Sequence, residues 1–549
     1  MLVSADIEEK TIGHRPLLHD LHLTIDDREK VAIIGRNGVG KTTLFRLLTG
    51  EDKDYSGKIT TRQGVRVAAT RQEHHNLGNQ TVMEYILNQL PEYARLKQII
   101  DIYPETMGDD LRKITTYTDA LDRFQQMDYY TAEDRITRAV QAYQLDPQAK
   151  MASLSGGQKR FVELIIVEHS NASLALIDEP TNHMDYVAKE AFIEWFTSVQ
   201  HAVVVITHDR DVLKHVSRII EVKDGTAENF PGNYDAYLLQ NAQRTANSLN
   251  EYEVTKRRIL NVKKQIQYAI KMKPSWHGTA DQRNPFVVME TRLRKELAEL
   301  EAIERPSFWI DQESVSNLRP NIEASYQKHK AKTIRIRRLT QDERRRDLVT
   351  LDEVQVGYIS PLFAPLSHRI LTGDRLRIVG RNGVGKTTLI RAIIDTASGE
   401  KPNTLIHGTI STDTKLRINT YEQEISDSLL DMTLSTAIEW LYGMYGQQVT
   451  NEQIMRILSD YLFDPYADRE HIVRNLSGGQ KARLQLIKML ANDPNLLILD
   501  EPTNHLDLPS IEELEAALDH YKGALVYISH DSYLAKNLGG SEITLTALL

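Results

Sequence analysis

An eight-residue stretch, GRNGVGKT, occurs twice in this chain of 549 residues, at 35–42 and again at 380–387. In both places an apolar, strand-like run precedes it, and a run with the apolar spacing of a helix follows it. Between a strand and a helix, the spacing G-x-x-x-x-G-K-[ST] is typical of a phosphate-binding loop, because glycine-rich main chain and a helix N-terminus direct N–H groups at one spot. Two such copies indicate two sites for a nucleoside triphosphate.

Each loop also supplies a cation and a hydroxyl. Lys41 and Lys386 are expected to reach the terminal phosphates, and the hydroxyls of Thr42 and Thr387 are expected to hold Mg²⁺. The residues predicted to bind nucleotide are Gly35, Asn37, Gly38, Gly40, Lys41, Thr42 and Thr43 on the first loop, and Gly380, Asn382, Gly383, Gly385, Lys386, Thr387 and Thr388 on the second.

Composition narrows the class of protein. The length predicts about three to four domains. Because the chain has no cysteine, disulfides, iron–sulfur clusters and cysteine-bound zinc are excluded, and a reducing cytoplasm is compatible. No uncharged apolar run approaches about 18 residues, and the first residues lack a basic region followed by an apolar one, so neither a membrane span nor export is expected.

Charge is unevenly distributed along the chain. The formal net charge is −9, but residues 240–346 contain 23 Lys and Arg against 13 Asp and Glu. A basic middle segment in an otherwise acidic chain suggests an anionic partner for that segment.

Two further motifs recur in the same order. LSGGQ lies at 154–158 and 476–480, and an apolar run ends in Asp-Glu at 178–179 and 500–501. From the serine of LSGGQ to the glutamate is 24 residues in both halves, and from the glutamate to His208 or His530 is 29 residues in both. The chain is therefore an internal duplication.

One interval differs between the halves. Gln72 and Ser155 are 83 residues apart, whereas Gln423 and Ser477 are 54 apart. The first half is thus expected to carry about 29 added residues, within 76–150, where apolar positions have helical spacing.

The segment between the halves is predicted to be a helical hairpin with a narrow apolar seam and a charged exterior. Its helices are expected at 235–273 and 286–304, with the tip at about 273–288 and an irregular stretch at 305–347. The expected seam positions are Leu249, Ile259, Val262, Ile266 and Ile270 on the first helix, and Leu293, Leu297 and Leu300 on the second. The predicted domains are 1–235, 236–347 and 348–549.

Each half contains a set of residues suited to nucleotide hydrolysis. Asp178 and Asp500 would position Mg²⁺ through water, and Glu179 and Glu501 would polarise the attacking water. His208 and His530 would contact the γ-phosphate, while Gln72 and Gln423 would sense metal and water. Singly, each has an ordinary explanation, such as a solvated turn or a surface histidine. As ordered sets with equal offsets, they favour hydrolysis.

These motifs resemble those of the ATP-binding cassette ATPases, over nearly all of 1–230 and 348–540. The resemblance implies an α/β fold with two P-loop ATPase domains, each a mixed sheet with a helical subdomain, joined here by the helical hairpin. It also implies head-to-tail pairing, in which each ATP lies between the loop of one cassette and the LSGGQ of the other. Lys41 would share a site with Ser477, Gly478, Gly479 and Gln480, and Lys386 with Ser155, Gly156, Gly157 and Gln158.

Four features resemble the ABC-F branch, whose twin-cassette members act on ribosomes. Both cassettes lie in one chain without a membrane domain, and Thr-Asn-His follows Asp-Glu-Pro at 181–183 and 503–505. The run at 231–237 looks like that branch's exit motif, and the basic hairpin and the added helical residues resemble its linker and arm. The resemblance implies that the hairpin enters the exit-tRNA site and contacts tRNA and large-subunit ribosomal RNA near the peptidyl-transferase centre.

Two positions depart from the family pattern. Ile12 stands where an adenine-stacking aromatic is common, whereas Tyr358 is available in the second cassette. Met184 replaces a leucine, a volume-conserving change expected to be harmless.

The sequence therefore predicts a cytoplasmic, monomeric Mg²⁺-dependent ATPase with two composite sites that works on ribosomes. Relief of stalled translation and protection from an antibiotic both stay open, with the tip residues deciding between them. The rival is the ATPase subunit of a transporter with a separate permease, against which the long basic hairpin argues. A scaffold that binds ATP without hydrolysis is disfavoured by Glu179 and Glu501.

Overall fold

The computed structural model describes residues 1–13, 15–71, 79–106, 108, 110–154, 156–182, 184–272, 285–301, 345–421, 425–476, 478–504 and 506–548. The chain forms two compact units, one made of Met1–Tyr234 with Ile334–Leu549 and the other of Asp235–Thr333. The first unit holds both phosphate-binding loops. Its two parts, 1–234 and 345–548, are called the first and second cassette below.

The first cassette is built on a six-stranded sheet and a smaller three-stranded sheet. Its strands are β1 (Val3–Ile12), β2 (Arg15–Ile25), β3 (Lys30–Gly35), β4 (Ser56–Thr61), β5 (Val67–Ala69), β6 (Leu174–Asp178), β7 (Ala202–Ile206), β8 (Arg218–Lys223) and β9 (Thr226–Pro231). Its helices are α1 (Lys41–Thr49), α2 (Val82–Gln89), α3 (Tyr93–Thr106), α4 (Leu111–Gln126), α5 (Ala132–Ala142), α6 (Gly156–His169), α7 (Tyr186–Ser198) and α8 (Arg210–Leu213).

The large sheet has the order β5-β6-β7-β3-β8-β9, with only β9 antiparallel to its neighbour. β7 is buried along its whole length, as expected for a parallel strand covered on both faces. β6 and β3 flank β7, so the carboxyl ends of both meet at one edge of the sheet. This places the Asp-Glu pair beside the phosphate-binding loop.

The second cassette repeats this plan. Its strands are β10 (Asp347–Val356), β11 (Leu366–Leu371), β12 (Arg375–Val379), β13 (Leu405–Thr412), β14 (Ile418–Tyr421), β15 (Leu496–Asp500), β16 (Ala524–Ile528) and β17 (Ser541–Thr544). Its helices are α11 (Lys386–Ala397), α12 (Asp427–Leu430), α13 (Leu434–Gly443), α14 (Asn451–Asp460), α15 (Gly478–Leu490), α16 (Leu508–His520) and α17 (Ser532–Leu538). Its parallel sheet has the order β14-β15-β16-β12-β17.

The helical layers of the two cassettes differ by one helix pair. Thr81 caps α2 and bridges to Lys150, and Thr433 caps α13 and bridges to Ile472, so these two helices correspond. The first cassette then inserts α3 and α4, whose base is an aromatic cluster with ring centroids 5.3–5.6 Å apart, formed by Tyr93, Phe124 and Tyr129. Both helices lie within 76–150, where the added residues are predicted.

The second unit contains α9 (Tyr234–Met272, of which Tyr234 lies in the first unit) and α10 (Pro285–Glu301). The helices are antiparallel, because Arg258 contacts Glu296 and Tyr268 contacts Phe286. Val262, Ile266 and Leu293 form the buried seam. Ile270 was expected in this seam but is 44% exposed, whereas its neighbour Ala269 is fully buried. The predicted hairpin tip at 273–284 and the stretch at 305–344 lie outside the described residues.

Candidate functional site

Each phosphate-binding loop turns sharply from its strand into its helix. Gly40 and Gly385 cap α1 and α11 with φ of 105° and 99°. A Cβ on Gly40 would lie 3.0 Å from Leu17 and Leu18, so both backbone angle and space require glycine there. The lysine that follows folds back over the loop: Lys41 Nζ donates to the carbonyls of Gly35 and Arg36 at 2.7 and 3.0 Å.

The second loop repeats this geometry. Lys386 Nζ donates to the carbonyls of Gly380 and Arg381 at 2.7 and 3.1 Å. Burial lowers the pKa of both lysines, against nearby carboxylates that raise it. A buried ammonium that donates to loop carbonyls and faces carboxyl groups is suited to binding a polyphosphate.

A hydroxyl and a carboxylate meet next to each lysine. Thr42 Oγ1 donates to Asp178 Oδ2 at 2.9 Å, and Thr387 Oγ1 donates to Asp500 Oδ2 at 2.7 Å. Mg²⁺ prefers such oxygen ligands and usually takes only one or two carboxylates beside substrate phosphates. These residues therefore fit Mg²⁺·ATP, and a bound Mg²⁺ would neutralise charge on the phosphates.

The two glutamates are held in a strained backbone conformation. Glu179 and Glu501 have φ of 47° and 46°, a region that non-glycine residues rarely occupy. Their main-chain N–H groups donate to Ile206 and Ile528 at 2.8 and 2.9 Å, which fixes the turn after each strand. Burial raises the pKa of Glu179 to about 8 and that of Glu501 to about 7. Both carboxyls are thereby tuned towards proton exchange near neutral pH.

A histidine faces each glutamate. His208 Nε2 lies 3.3 Å from Glu179 Oε1, and His530 Nε2 lies 3.3 Å from Glu501 Oε1. Burial, followed by the nearby lysine, lowers the pKa of His208 to about 3 and that of His530 to about 4, so both rings are neutral at pH 7. Within the described part of the chain, both ring nitrogens of His208 and Nε2 of His530 are buried without a hydrogen-bond partner. A phosphate oxygen would supply that partner.

The cassettes contact each other at both loops. The main-chain N–H of Asn37 donates to Asp507 Oδ2 at 3.0 Å, and that of Asn382 donates to Asp185 Oδ2 at 3.1 Å. Asp185 and Asp507 also cap α7 and α16. Burial by itself would raise the pKa of Asp185, but the N–H groups of Ala188 and Asn382 bring it below its ordinary value.

Sequence reasoning missed these two aspartates. Their place directly before a helical run identifies a capping residue, but no local signal shows that the same carboxylate reaches the other cassette. The four predicted catalytic residues line one cavity of about 370 Å³ between the cassettes, together with Asn182 and Asn504 from the loops that lead to the two aspartates.

The remaining predicted residues are distributed as follows. Gln72, Gln423, Ser155 and Ser477 lie outside the described residues. Gly156, Gly157 and Gln158 begin α6, and Gly478, Gly479 and Gln480 begin α15, while Thr43 and Thr388 lie in the first turns of α1 and α11. Tyr358 follows β10 and is 73% exposed, and Ile12 ends β1 and is 60% exposed. Their roles in nucleotide binding stay predictions.

Comparison with known proteins agrees with this geometry. The family model described as "ABC transporter" matches residues 18–182 and 363–504, more than half of the chain. The Escherichia coli "ATP-binding protein Uup" is 27% identical over 95% of this chain and 76% of its own length. The Arabidopsis thaliana "ABC transporter F family member 2" is 28% identical over 95% of this chain and 73% of its own length.

Solved structures share the fold at low sequence identity. The archaeal ribosome recycling factor aABCE1, in complex with the ribosomal stalk protein aP1, matches 99% of this chain and 87% of its own with a TM-score of 0.57 and 16% identity. A structure titled "RNase-L Inhibitor" matches with a TM-score of 0.54 and 15% identity, over 99% of this chain and 90% of its own. The predicted fold class is confirmed. Among the described residues, no helix is long and apolar enough to cross a membrane.

Two matches to one family model, relatives that align with 95% of this chain and the equivalent geometry of the two phosphate-binding loops lead to one assignment. The chain belongs to the ATP-binding cassette family, as a twin-cassette ATPase of the ABC-F type.

Proposed function

We propose that this ATPase works in the cytoplasm on the ribosome. The cassettes close on two Mg²⁺·ATP, and closure sets the orientation of the basic hairpin at 236–347 in the exit-tRNA site. There the hairpin contacts tRNA and large-subunit ribosomal RNA and reaches towards the peptidyl-transferase centre. The α3–α4 arm adds a second contact. The result is either rescue of stalled translation or protection of the ribosome from an antibiotic.

The observation that carries this proposal is the surface of the hairpin. Its apolar seam is narrow, and most of the described side chains at 258–272 and 285–297 are exposed. At 1.5 Å per residue, the 39 residues of α9 extend about 60 Å. Two exposed cations on the described part of the helices pair with glutamates, Arg258 with Glu296 and Arg294 with Glu290. The other exposed cations there are Arg244, Lys263, Lys264, Lys271, Arg292 and Lys295. A long rod with such an exterior suits a groove lined by phosphates.

Coupling to ATP follows from the contacts between cassettes. Asp185 and Asp507 each hold the loop of the opposite cassette, so the closed arrangement involves both loops at once. A ligand that binds only the closed form shifts the population towards it. Hydrolysis at Glu179 and Glu501 would then release the closed form and the ribosome with it.

The test uses the double variant Glu179→Gln with Glu501→Gln, which keeps ATP bound. In the presence of ATP, this variant is expected to sediment with ribosomes, whereas the unmodified protein is released. Sedimentation of the variant away from ribosomes would refute the proposal. Recovery with membranes instead would favour the transporter subunit.

A second measurement tests the hairpin. Lys263→Glu with Lys264→Glu in the trapped variant should weaken ribosome binding and flatten its salt dependence by about one unit of slope per lost phosphate contact. Lys401→Glu with Lys415→Glu makes the same charge change on exposed residues of the second cassette and serves as control. If both pairs of substitutions weaken ribosome binding equally, the hairpin cations contribute only through the net charge of the protein and make no specific contact.

A further inference from the structure

Lys189 connects the first cassette to the catalytic histidine loop of the second. It lies near the start of α7 and is 7% exposed. Its ammonium contacts Asp209 Oδ2 at 2.9 Å and Asp211 Oδ2 at 2.6 Å within its own cassette. It also donates to the main-chain carbonyl of His530 at 3.3 Å, across the interface. All three N–H donors of the ammonium are thus used.

A second contact fixes the same loop. Ser532 Oγ donates to Asp211 Oδ1 at 2.7 Å, so Asp211 joins Lys189 to the residue two positions after His530. Burial by itself would lower the pKa of Lys189, but Asp209 and Asp211 outweigh it and raise the pKa, so the ammonium stays charged. The opposite cassette therefore holds 530–532 at two points, the main-chain carbonyl of His530 and the side-chain hydroxyl of Ser532.

The internal duplication supplies the comparison. Lys189 lies four residues after the capping Asp185, and the residue four after Asp507 is Ile511. Asp211 lies three residues after His208, and the residue three after His530 is Tyr533. Ser532 lies two residues after His530, and the residue two after His208 is Arg210. An isoleucine has no donor for the carbonyl of His208. On that side the Arg210 side chain pairs instead with Glu515 at 2.9 Å and lies over the Tyr533 ring at 5.2 Å. The two histidine loops are thus anchored by different chemistry.

We propose that Lys189 is a positioning residue for ATP hydrolysis at the second cassette, acting through the carbonyl of His530 to hold that ring beside Glu501. The contact crosses the interface, so it exists only while the cassettes are closed. The second site is therefore completed by closure in a way that the first site is not. A displacement of about 1 Å at a reacting group can slow a reaction by about a hundredfold. Loss of the Lys189 contact can therefore lower kcat even though Lys189 does not touch ATP.

The test measures kcat and KM for ATP on the full chain. Lys189→Met keeps the aliphatic stem and removes the charge. It is expected to lower kcat about tenfold with KM within about twofold. Lys189→Arg should restore kcat to within about threefold, because a guanidinium can still donate to the carbonyl. The matched control is Ile511→Met, expected to leave both constants unchanged.

Two additions separate positioning from loss of folding. Ser532 is exposed, so Ser532→Ala removes only the second contact, and it should lower kcat about two- to threefold at unchanged KM. In a Glu179→Gln background, where only the second site turns over, Lys189→Met should lower kcat by the same factor of about ten. In a Glu501→Gln background, where only the first site turns over, it should leave kcat unchanged.

Equal losses in the two backgrounds, a rise in KM that accounts for the effect, or failure of arginine to restore kcat would overturn the proposal. If a single Gln variant has no turnover, the proposal is judged on the protein with both sites intact. There, Lys189→Met must lower kcat without raising KM, and Ile511→Met must change neither. None of these measurements involves the ribosome, so their failure is distinct from failure of the proposed function.

Discussion

The Arg210–Glu515 pair gives the sharpest test of how the cassettes hold together. Arg210 Nη1 lies 2.9 Å from Glu515 Oε1, with the two side chains 0% and 9% exposed. Asn537 Nδ2 also donates to Glu515 Oε2, at 3.2 Å. The pair is therefore buried, hydrogen-bonded and contributed by both cassettes. Removing one partner leaves a charge buried in the closed form only.

The expected magnitude follows from that burial. An unpaired buried charge costs about 3 kcal/mol, and about 1.4 kcal/mol corresponds to a factor of ten. Arg210→Met should thus disfavour the closed form about a hundredfold. In Arg210→Met with Glu515→Leu no charge is buried, so closure should recover to within about tenfold. Lys214→Met is the control, since Lys214 also lies over Tyr533, at 4.5 Å, but is 42% exposed.

The assay follows closure directly. Dyes on the two cassettes of the Glu179→Gln, Glu501→Gln protein report their separation by energy transfer as ATP is added. Because closure takes up two ATP, a hundredfold weaker closure should raise the ATP concentration for half-closure about tenfold in Arg210→Met, and the double replacement should largely reverse this. An unchanged midpoint in Arg210→Met, or a double replacement as impaired as the single one, would refute the reasoning.

Two further predictions concern the glutamates and the hairpin. Because burial in the closed form raises the pKa of Glu179 to about 8 and of Glu501 to about 7, kcat for ATP hydrolysis, which reports the ATP-bound enzyme, should rise with pH as these carboxyls lose their protons. Whether only the first site is active (Glu501→Gln) or only the second (Glu179→Gln), the half-maximum should lie well above the ordinary glutamate pKa of about 4.3; a half-maximum near that ordinary value would contradict this. Leu293→Ala should destabilise the α9–α10 pair by about 2 kcal/mol, seen as faster amide exchange in those helices but not in β3 or β7. The exposed Arg258–Glu296 pair provides the comparison, because Glu296→Ala should cost under about 1 kcal/mol.

The residues of each phosphate-binding loop and of each Asp-Glu pair were predictable from sequence because their motifs are short and depend on local backbone conformation. A glycine before Lys41 determines the turn, and a strand that ends at Asp178 determines which edge of the sheet carries the carboxylate. The seam of the hairpin was predictable only in part. Val262, Ile266 and Ala269 follow the alternating four- and three-residue steps of a heptad. Ile270 lies four residues after Ile266 and fits a helical seam as well as Ala269 does, which lies three residues after it. Only the position of α10 determines that Ala269 is buried and Ile270 exposed.

Contacts between the cassettes depend on placement in three dimensions, which spacing along the chain does not encode. Asp185 and Asp507 were identifiable as helix caps, but their bonds to Asn382 and Asn37 depend on how two domains meet. Lys189 has even less local signal, since a lysine on a helix is usually solvated. Its role is visible only because Asp209, Asp211 and the carbonyl of His530 converge on one ammonium.

The interface combines symmetric and asymmetric contacts, and the two kinds have different consequences. The bonds from Asp185 and Asp507 to the loops are equivalent, so they favour closure without distinguishing the sites. The Arg210–Glu515 pair and the Lys189 contact occur once each. The residues predicted to perform the chemistry belong to the duplicated motifs, whereas interface positions such as Lys189 and Ile511 differ between the two halves. Opening of the cassettes must break the buried Arg210–Glu515 pair near His208 and the contact from Lys189 to the carbonyl of His530. The two sites therefore lose their alignment by different steps, although each binds its own ATP.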